Sequence, residues 1–211
     1  MKRTRILLAD DHTLTLEGIR AVLEVRHEIV GMVADGRALV DAALRLKPEL
    51  IVLDITMPLL NGIDAAVQIK KSLPDVKLLF VTMHTNPAYL EAALNAGGTG
   101  YVLKSAAREE LLDAISIVLN DRIYVTPGLA GDHLERFTDP SRAAATLHLS
   151  SREREVLQLI AEGQTTKEMA HVLSISPKTV SFHRENLKRK LGLRTTAELT
   201  KHAIEKGLVS L

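Results

Sequence analysis

Four short apolar runs in the first half of this 211-residue chain each end at a residue that can handle a phosphoryl group. Residues 6–9 precede Asp10 and Asp11, residues 50–53 precede Asp54, residues 78–81 precede Thr82, and residues 101–103 precede Lys104. Three carboxylates can hold a hard cation such as Mg²⁺, whereas a lysine and a hydroxyl suit phosphate oxygens. If these side chains meet, the chemistry they indicate is phosphorylation of an aspartate.

The elements that must position these side chains follow from the same pattern. Short unbroken apolar runs separated by helix-length segments are typical of buried parallel strands. A further strand fits residues 28–34, and helices fit residues 61–72, 87–96 and 107–119. Parallel strands point their carboxyl ends to one edge of the sheet, where open α/β sheets bind ligands. The alternation predicts a doubly wound, five-stranded parallel sheet with the candidate residues at one edge.

Over roughly the first 120 residues, the chain resembles the receiver domain of two-component response regulators. The resemblance rests on residues at or just after the strand ends, namely Asp10, Asp11, Asp54, Gly62, Thr82 and Lys104. It implies a flavodoxin-like α/β fold with strand order 2-1-3-4-5 and strand 1 at the switch point. It also implies that Asp54 is the phosphoacceptor.

The resemblance implies a role for each residue around Asp54. Asp11 and Asp54 would ligate Mg²⁺ directly, Asp10 would act through water, and the backbone carbonyl of Thr56 would complete the protein's share. Lys104 would pair with one phosphoryl oxygen, and Thr82 would hydrogen-bond another. Phosphoryl transfer depends mostly on positioning and electrostatics, which such groups supply.

The resemblance also suggests roles for three further residues in the first half of the chain. Tyr101 lies where the family has an aromatic switch, and its type equally fits plain packing in a half-buried strand. Thr56 and His84 occupy positions that tune the loss of the phosphoryl group in relatives. For His84 we expect a place on a surface loop.

Charge is distributed unevenly between the two halves. Residues 1–120 carry 13 Lys and Arg against 15 Asp and Glu, whereas residues 150–211 carry 11 against 7. A basic second half indicates nucleic acid as a partner. The chain has no cysteine, which excludes disulfides and thiolate chemistry. No apolar stretch approaches the length needed to span a bilayer, so we expect a cytoplasmic protein without a membrane partner.

The last sixty residues carry the signals of four short helices. Ser150 and Glu153 form a Ser-x-x-Glu capping box, and the pairs at 165 and 168 and at 195 and 198 repeat it with threonine. Glycines at 163, 192 and 207 stand where helices should end. Helices are predicted at about 151–162, 166–173, 177–191 and 196–206. The tight connection between the second and third is typical of a helix-turn-helix.

This all-α region is similar to the LuxR-type helix-turn-helix of NarL/FixJ regulators over essentially all of residues 149–208. The third helix would enter the major groove of DNA. Its basic side chains suit phosphates and its polar ones base edges. The residues that we expect to contact DNA are Lys178, Thr179, Ser181, Phe182, Glu185, Lys188, Arg189 and Lys190. Many relatives have lysine where this chain has Ser181, and Phe182 would touch a thymine methyl or pack on the receiver.

The sequence therefore predicts a receiver domain over 1–120, a linker over 121–148 and a DNA-binding domain over 149–211. The best linker candidate is 138–142, which is polar and has no apolar face.

The function expected is a phosphorylation-dependent transcriptional regulator, not an enzyme. Its partners would be a sensor histidine kinase, promoter DNA and a second copy of the chain, paired through the last helix.

The sequence leaves two alternative functions open. One is a regulator whose receiver serves for dimerisation without being phosphorylated. The other is a phosphatase with an aspartyl-phosphate intermediate, for which Thr56 is unsuited because such enzymes place a second aspartate there.

Overall fold

A computed structural model describes residues 3–106, 108–130 and 149–209 of the chain. Its elements run in chain order as β1 Arg5–Ala9, α1 Thr13–Leu23, β2 Glu28–Val33, α2 Gly36–Leu46, β3 Leu50–Leu53, α3 Gly62–Ser72, β4 Lys77–Thr82, α4 Pro87–Asn95, β5 Gly100–Leu103, α5 Arg108–Leu119, β6 Tyr124–Val125, α6 Pro127–Ala130, α7 Ser151–Ala161, α8 Thr166–Val172, α9 Pro177–Leu191 and α10 Thr196–Glu205. The first twelve elements form an α/β unit, and the last four form an all-α unit.

The α/β unit is built on a parallel sheet with the order β2-β1-β3-β4-β5-β6. Its central strands β1, β3 and β4 are buried on both faces because alternate side chains enter two separate cores. Leu7 and Ile51 point to the core covered by α2, α3 and α4. Ile6 and Val52 point to the core covered by α1 and α5. The prediction of a doubly wound parallel sheet is confirmed.

The sixth strand was not predicted. β6 lies beside β5 with Gly100 opposite Tyr124 and Tyr101 opposite Val125. Thr126 continues the pairing, since its amide donates to the Tyr101 carbonyl at 3.0 Å and its hydroxyl accepts from the Leu103 amide at 3.2 Å. Residues 124–126, which the sequence assigned to the linker, thus pair with the sheet, and Leu129 packs on its core. The linker candidate at 138–142 lies outside the described residues.

The four helices of the second unit match their predicted ranges within one residue at each end. Both hydrogen bonds of the capping box form at Ser150, Thr165 and Thr195. α8 and α9 are joined by a tight turn in which Ser174 adopts φ 51°. The core of this unit includes Leu157 from α7, Val180 from α9 and Leu199 from α10.

Within the described ranges, no helix has both the length and the apolar character that crossing a membrane requires.

Candidate functional site

The carboxyl edge of the sheet gathers the acidic residues predicted from the sequence. Asp10 follows β1 and Asp54 follows β3, and both are buried. Atoms of Asp10, Asp11, His12 and Asp54 that can bind a metal all lie within 4.8 Å of one another. His12 is the member that the sequence did not single out. The cluster is of the kind that holds a hard divalent cation.

Lys104 lies at the centre of this cluster. Its Nζ is 2.7 Å from Oδ2 of Asp54 and 2.7 Å from Oδ2 of Asp10. Burial lowers the pKa of the Lys104 ammonium, but the two carboxylates outweigh burial and hold that pKa above its usual value. The Ile55 amide donates to Oδ1 of Asp54 at 2.6 Å. The Asp54 carboxylate is therefore held at both oxygens.

The loop after Asp54 bends sharply at the start of α3. The Gly62 amide donates to the Ile55 carbonyl at 2.7 Å. A Cβ at position 62 would overlap with the Asp54 carbonyl oxygen. Glycine is needed here because backbone approaches backbone, which keeps Asp54 in place against the helix.

Thr82 and Tyr101 line the other side of the site. Thr82, at the end of β4, is buried, and its hydroxyl accepts from the His84 amide at 3.4 Å. Tyr101 is fully buried, and its hydroxyl donates to the His84 carbonyl at 2.8 Å. Burial raises the pKa of Tyr101 well above its usual range, with the charge of Asp54 adding to the effect. The ring is more deeply buried than the half-buried position expected.

His84 lies in the loop between β4 and α4, as expected, but its side chain is half-buried and makes specific contacts. Its Nε2 lies 2.8 Å from the Thr56 hydroxyl, two residues beyond Asp54. Its ring stacks on Tyr89 with centroids 4.0 Å apart and planes 17° apart. Burial lowers the pKa of His84, which favours the neutral ring at physiological pH. The sequence held no local sign of this contact, because Tyr89 belongs to the next helix.

α9 presents the predicted DNA-binding face to solvent. Val180 and Leu187 are buried against the second unit. The predicted contact residues Lys178, Ser181, Phe182, Glu185, Arg189 and Lys190 are exposed, and Thr179 and Lys188 are half-buried. Phe182 is 63% exposed, so it does not pack on the receiver in this arrangement.

Several of these α9 residues already have partners within the second unit, among them Ser181 and Lys190. The Ser181 hydroxyl donates to the Pro177 carbonyl at 3.1 Å. Lys190 Nζ lies 2.8 Å from Oε2 of Glu153, a buried member of the α7 capping box. The charge that Lys190 offers to another ligand is therefore shared with Glu153.

The second unit docks on the loop that carries Asp54, which sequence reasoning missed. Gln158 of α7 is fully buried, and its Nε2 donates to the Met57 carbonyl at 2.8 Å. The Asn61 amide donates to Oε1 of Gln158, also at 2.8 Å. The Leu59 amide donates to Oε1 of Glu162 at 3.0 Å. The available signal was a glutamine inside the apolar stretch 156–160, since buried polar groups need partners.

Ion pairs and one apolar contact extend this docking. Arg154 Nε lies 3.0 Å from Oδ1 of Asp64, and Arg37 pairs with Glu155. Leu59 adopts φ 64°, an unusual conformation for a branched residue, and its side chain packs on the core of the second unit. α7 and its C-cap Glu162 thus contact the loop after Asp54 at Met57, Leu59 and Asn61.

Comparisons with known proteins agree with both halves of this description. Residues 6–116 match the family model described as the response regulator receiver domain, and residues 147–203 match that of bacterial regulatory proteins of the luxR family. The chain is similar to the transcriptional regulatory protein MctR of Rhizobium johnstonii, with 35% identity over 99% of this chain and 96% of that protein.

Two solved structures are similar over nearly the whole chain. The RcsB response regulator of Salmonella typhimurium shares 30% identity, with a TM-score of 0.65 over 100% of both chains. A structure of two RcsB dimers bound to two parallel DNAs shares 29% identity, with a TM-score of 0.58 over 99% of this chain and 100% of that chain.

Proposed function

Because the chain belongs to the response regulators that join a receiver domain to a LuxR-type DNA-binding domain, we propose that it is a transcriptional regulator controlled by phosphorylation of Asp54. The observation that carries the proposal is a buried Asp54 carboxylate held by Lys104 inside a cluster of three carboxylates. We assign residues 1–130 to the receiver, because β6 pairs with its sheet, 149–211 to the DNA-binding domain and 131–148 to the connection between them. The matched regions, 6–116 and 147–203, support this division.

Mg²⁺ is the cation that suits the acidic cluster. Among the described residues, Oδ1 of Asp11 is buried and has no hydrogen-bond partner. His12 Nδ1 lies 2.8 Å from it, but the angles do not fit a hydrogen bond, so this oxygen is free to bind a cation. Asp11 and Asp54 would ligate the cation directly, Asp10 would act through water, and Thr56 would offer its carbonyl. When bound, Mg²⁺ would neutralise charge on the phosphodonor and on the attacking carboxylate.

The phosphoryl group would come from a phosphohistidine of a sensor histidine kinase. One carboxylate oxygen of Asp54 would attack the phosphorus, so that an O–P bond forms while the N–P bond breaks and the imidazole leaves. Lys104 would move from the Asp54 carboxylate to a phosphoryl oxygen, since the new group carries more negative charge. The Thr82 hydroxyl would donate to a second phosphoryl oxygen.

The DNA-binding function is supported by the exposed face of α9 and by the DNA complex of the similar protein RcsB. Lys178, Lys188 and Arg189 would bind phosphates, while Ser181 and Glu185 would reach base edges. The remaining predicted contacts are Thr179, Phe182 and Lys190. The RcsB dimers support a homodimer as the form of this chain that would bind promoter DNA. A regulator with this function would act in the cytoplasm, where promoter DNA is located.

The test combines phosphorylation with DNA binding in the full chain. Acetyl phosphate with Mg²⁺ should add one phosphoryl group to the wild type and none to Asp54→Asn, as measured by intact mass. A duplex that the donor-treated chain selects from a random library should then bind the treated wild type more tightly than the untreated protein. Asp54→Asn should not respond to the donor.

Two outcomes would contradict the proposal. Equal labelling of both proteins would place the phosphoacceptor elsewhere. Equal DNA binding with and without donor, in wild type and Asp54→Asn alike, would favour a receiver that serves dimerisation without phosphorylation.

A further inference from the structure

The docked arrangement leaves the DNA-binding helix open. Lys178, Phe182 and Arg189 on the outer face of α9 are exposed while α7 is bound to the receiver. Docking cannot restrain DNA binding by covering this face. The receiver instead contacts the segment that follows α10, the helix through which we expect two copies to pair, because Gly207 lies against Tyr89 of α4.

The contact between α10 and α4 is made at a glycine. Gly207, just after α10, adopts φ 62°, and a Cβ there would overlap with the Tyr89 hydroxyl oxygen and lie 2.5 Å from Tyr89 Cζ. Gly163 also adopts a positive φ, 79°, yet a Cβ there would meet nothing within 4 Å. The absence of a side chain at Gly207 is therefore required by the receiver as well as by the backbone.

Tyr89 connects this contact to the phosphoacceptor loop. Its ring stacks on His84, and Nε2 of His84 lies 2.8 Å from the Thr56 hydroxyl. The His84 amide lies 3.4 Å from the Thr82 hydroxyl, on the other side of the site. A cavity of about 380 Å³ borders Tyr89 and Gly207, so the ring has room to leave its stack.

We propose that Thr56, His84, Tyr89 and Gly207 form the route by which phosphorylation of Asp54 frees the end of α10 to pair with a second copy of this chain. The inference rests on the proposed function, since it requires a phosphoryl group on Asp54. When the Thr82 hydroxyl turns to that group, the His84 amide loses its acceptor and the His84 ring shifts. Tyr89 then loses its stacking partner and no longer fits against Gly207.

The test is Gly207→Ala in the full chain without phosphodonor, with Gly163→Ala as the matched control. Both changes place alanine at a positive φ, so both carry a similar backbone cost, but only the first forces Tyr89 out of its stack. Sedimentation velocity should show more dimer for Gly207→Ala than for wild type, and DNA binding should tighten by about 5–150-fold, the usual range of coupling between sites. Gly163→Ala should behave like wild type.

Two further variants separate the route from the phosphorylation itself. Gly207→Ala combined with Asp54→Asn should remain dimeric, because the contact lies downstream of Asp54. Tyr89→Ala should also release α10, and it leaves the DNA-binding domain unchanged in sequence, so misfolding at position 207 cannot explain both results.

Equal dimer content in Gly207→Ala and Gly163→Ala, together with a wild-type result for Tyr89→Ala, would overturn the route. Loss of the Gly207→Ala effect in the Asp54→Asn background would also overturn it. Failure of the proposed function looks different, since wild type would then not respond to the phosphodonor whatever residue occupies position 207.

Discussion

At the scale of single residues, Lys104 places a positive charge between two carboxylates that would otherwise repel each other. Its ammonium contacts Asp10 and Asp54 at 2.7 Å each, and both carboxylates are buried. Without a positive partner, two close buried carboxylates repel each other, which destabilises the site. A Mg²⁺ ion bound to the acidic cluster would neutralise some of the same carboxylates as Lys104, so each cation would reduce the need for the other.

The first prediction separates Asp11 from Lys104. Asp11→Ala should weaken Mg²⁺ binding because it removes a proposed direct ligand. Lys104→Ala should keep or tighten Mg²⁺ binding, since a competing cation is gone, and should impair the response to phosphorylation. Calorimetric titration with Mg²⁺ measures the first effect, and donor-dependent dimerisation measures the second. Tighter Mg²⁺ binding by Asp11→Ala than by Lys104→Ala would refute these roles.

At the scale of elements, the last turn of α9 serves two purposes. Lys188 pairs at 3.2 Å with Glu185, which is exposed, so this pair contributes little to stability. Lys190 instead pairs with the buried Glu153 and thereby ties α9 to the start of α7. Burial raises the pKa of Glu153, but Lys190 and Ser150 outweigh burial and hold that pKa below its usual value.

The second prediction separates these two lysines. Lys188→Ala should weaken DNA binding and reduce its salt dependence by about one counterion, without loss of stability. Lys190→Ala should destabilise the DNA-binding domain by about 1–2 kcal/mol, less than for a fully buried pair because Lys190 is 43% exposed. Lys71→Ala, on the receiver helix α3, is the control for a lost exposed charge.

The stability effect of Lys190→Ala should depend on pH in one direction. The pKa of Glu153 is lowered on folding, so its stabilising contribution is present above the usual carboxyl pKa and is lost as pH falls through the folded value. Urea unfolding at neutral and acidic pH should show the difference from wild type shrinking in acid. A difference that grows in acid would mean that Glu153 is not the partner that matters.

At the scale of the complete chain, α7 is both part of the DNA-binding domain and a clamp on the loop that follows Asp54. Gln158 joins the Met57 carbonyl to the Asn61 amide, on either side of the turn that follows Asp54. Linkage requires that coupling act in both directions. Whatever phosphorylation does to docking, docking must therefore affect the thermodynamics of phosphorylation.

The third prediction tests this clamp. Gln158→Ala should weaken the docking of the DNA-binding domain on the receiver. The fraction of Asp54 phosphorylated at a given acetyl phosphate concentration should rise, and the affinity of the untreated chain for DNA should increase. Gln164→Ala, just beyond the end of α7, is the matched control. Intact mass after donor treatment measures the occupancy. Lower occupancy in Gln158→Ala than in both wild type and control would mean that docking assists phosphorylation.

Most of the elements, and the edge of the sheet at which they converge, could be predicted from the sequence. Apolar runs and capping residues act within a few positions of one another, so their signal is local. The boundaries of α9, from Pro177 to Leu191, follow from Ser176 before it and Gly192 after it. The meeting of Asp10, Asp54 and Lys104 follows as well, because parallel strands end at a common edge.

The contacts between residues far apart in the chain could not be predicted from the sequence and were found in the folded structure. β6 is two residues long and depends on pairing with β5, so Tyr124 and Val125 carry too little pattern to predict a strand. His84 is covered by Tyr89, and Gln158 bonds to atoms 97 and 101 positions away. Such contacts depend on how finished elements pack, and packing leaves no periodic trace in the sequence that forms them.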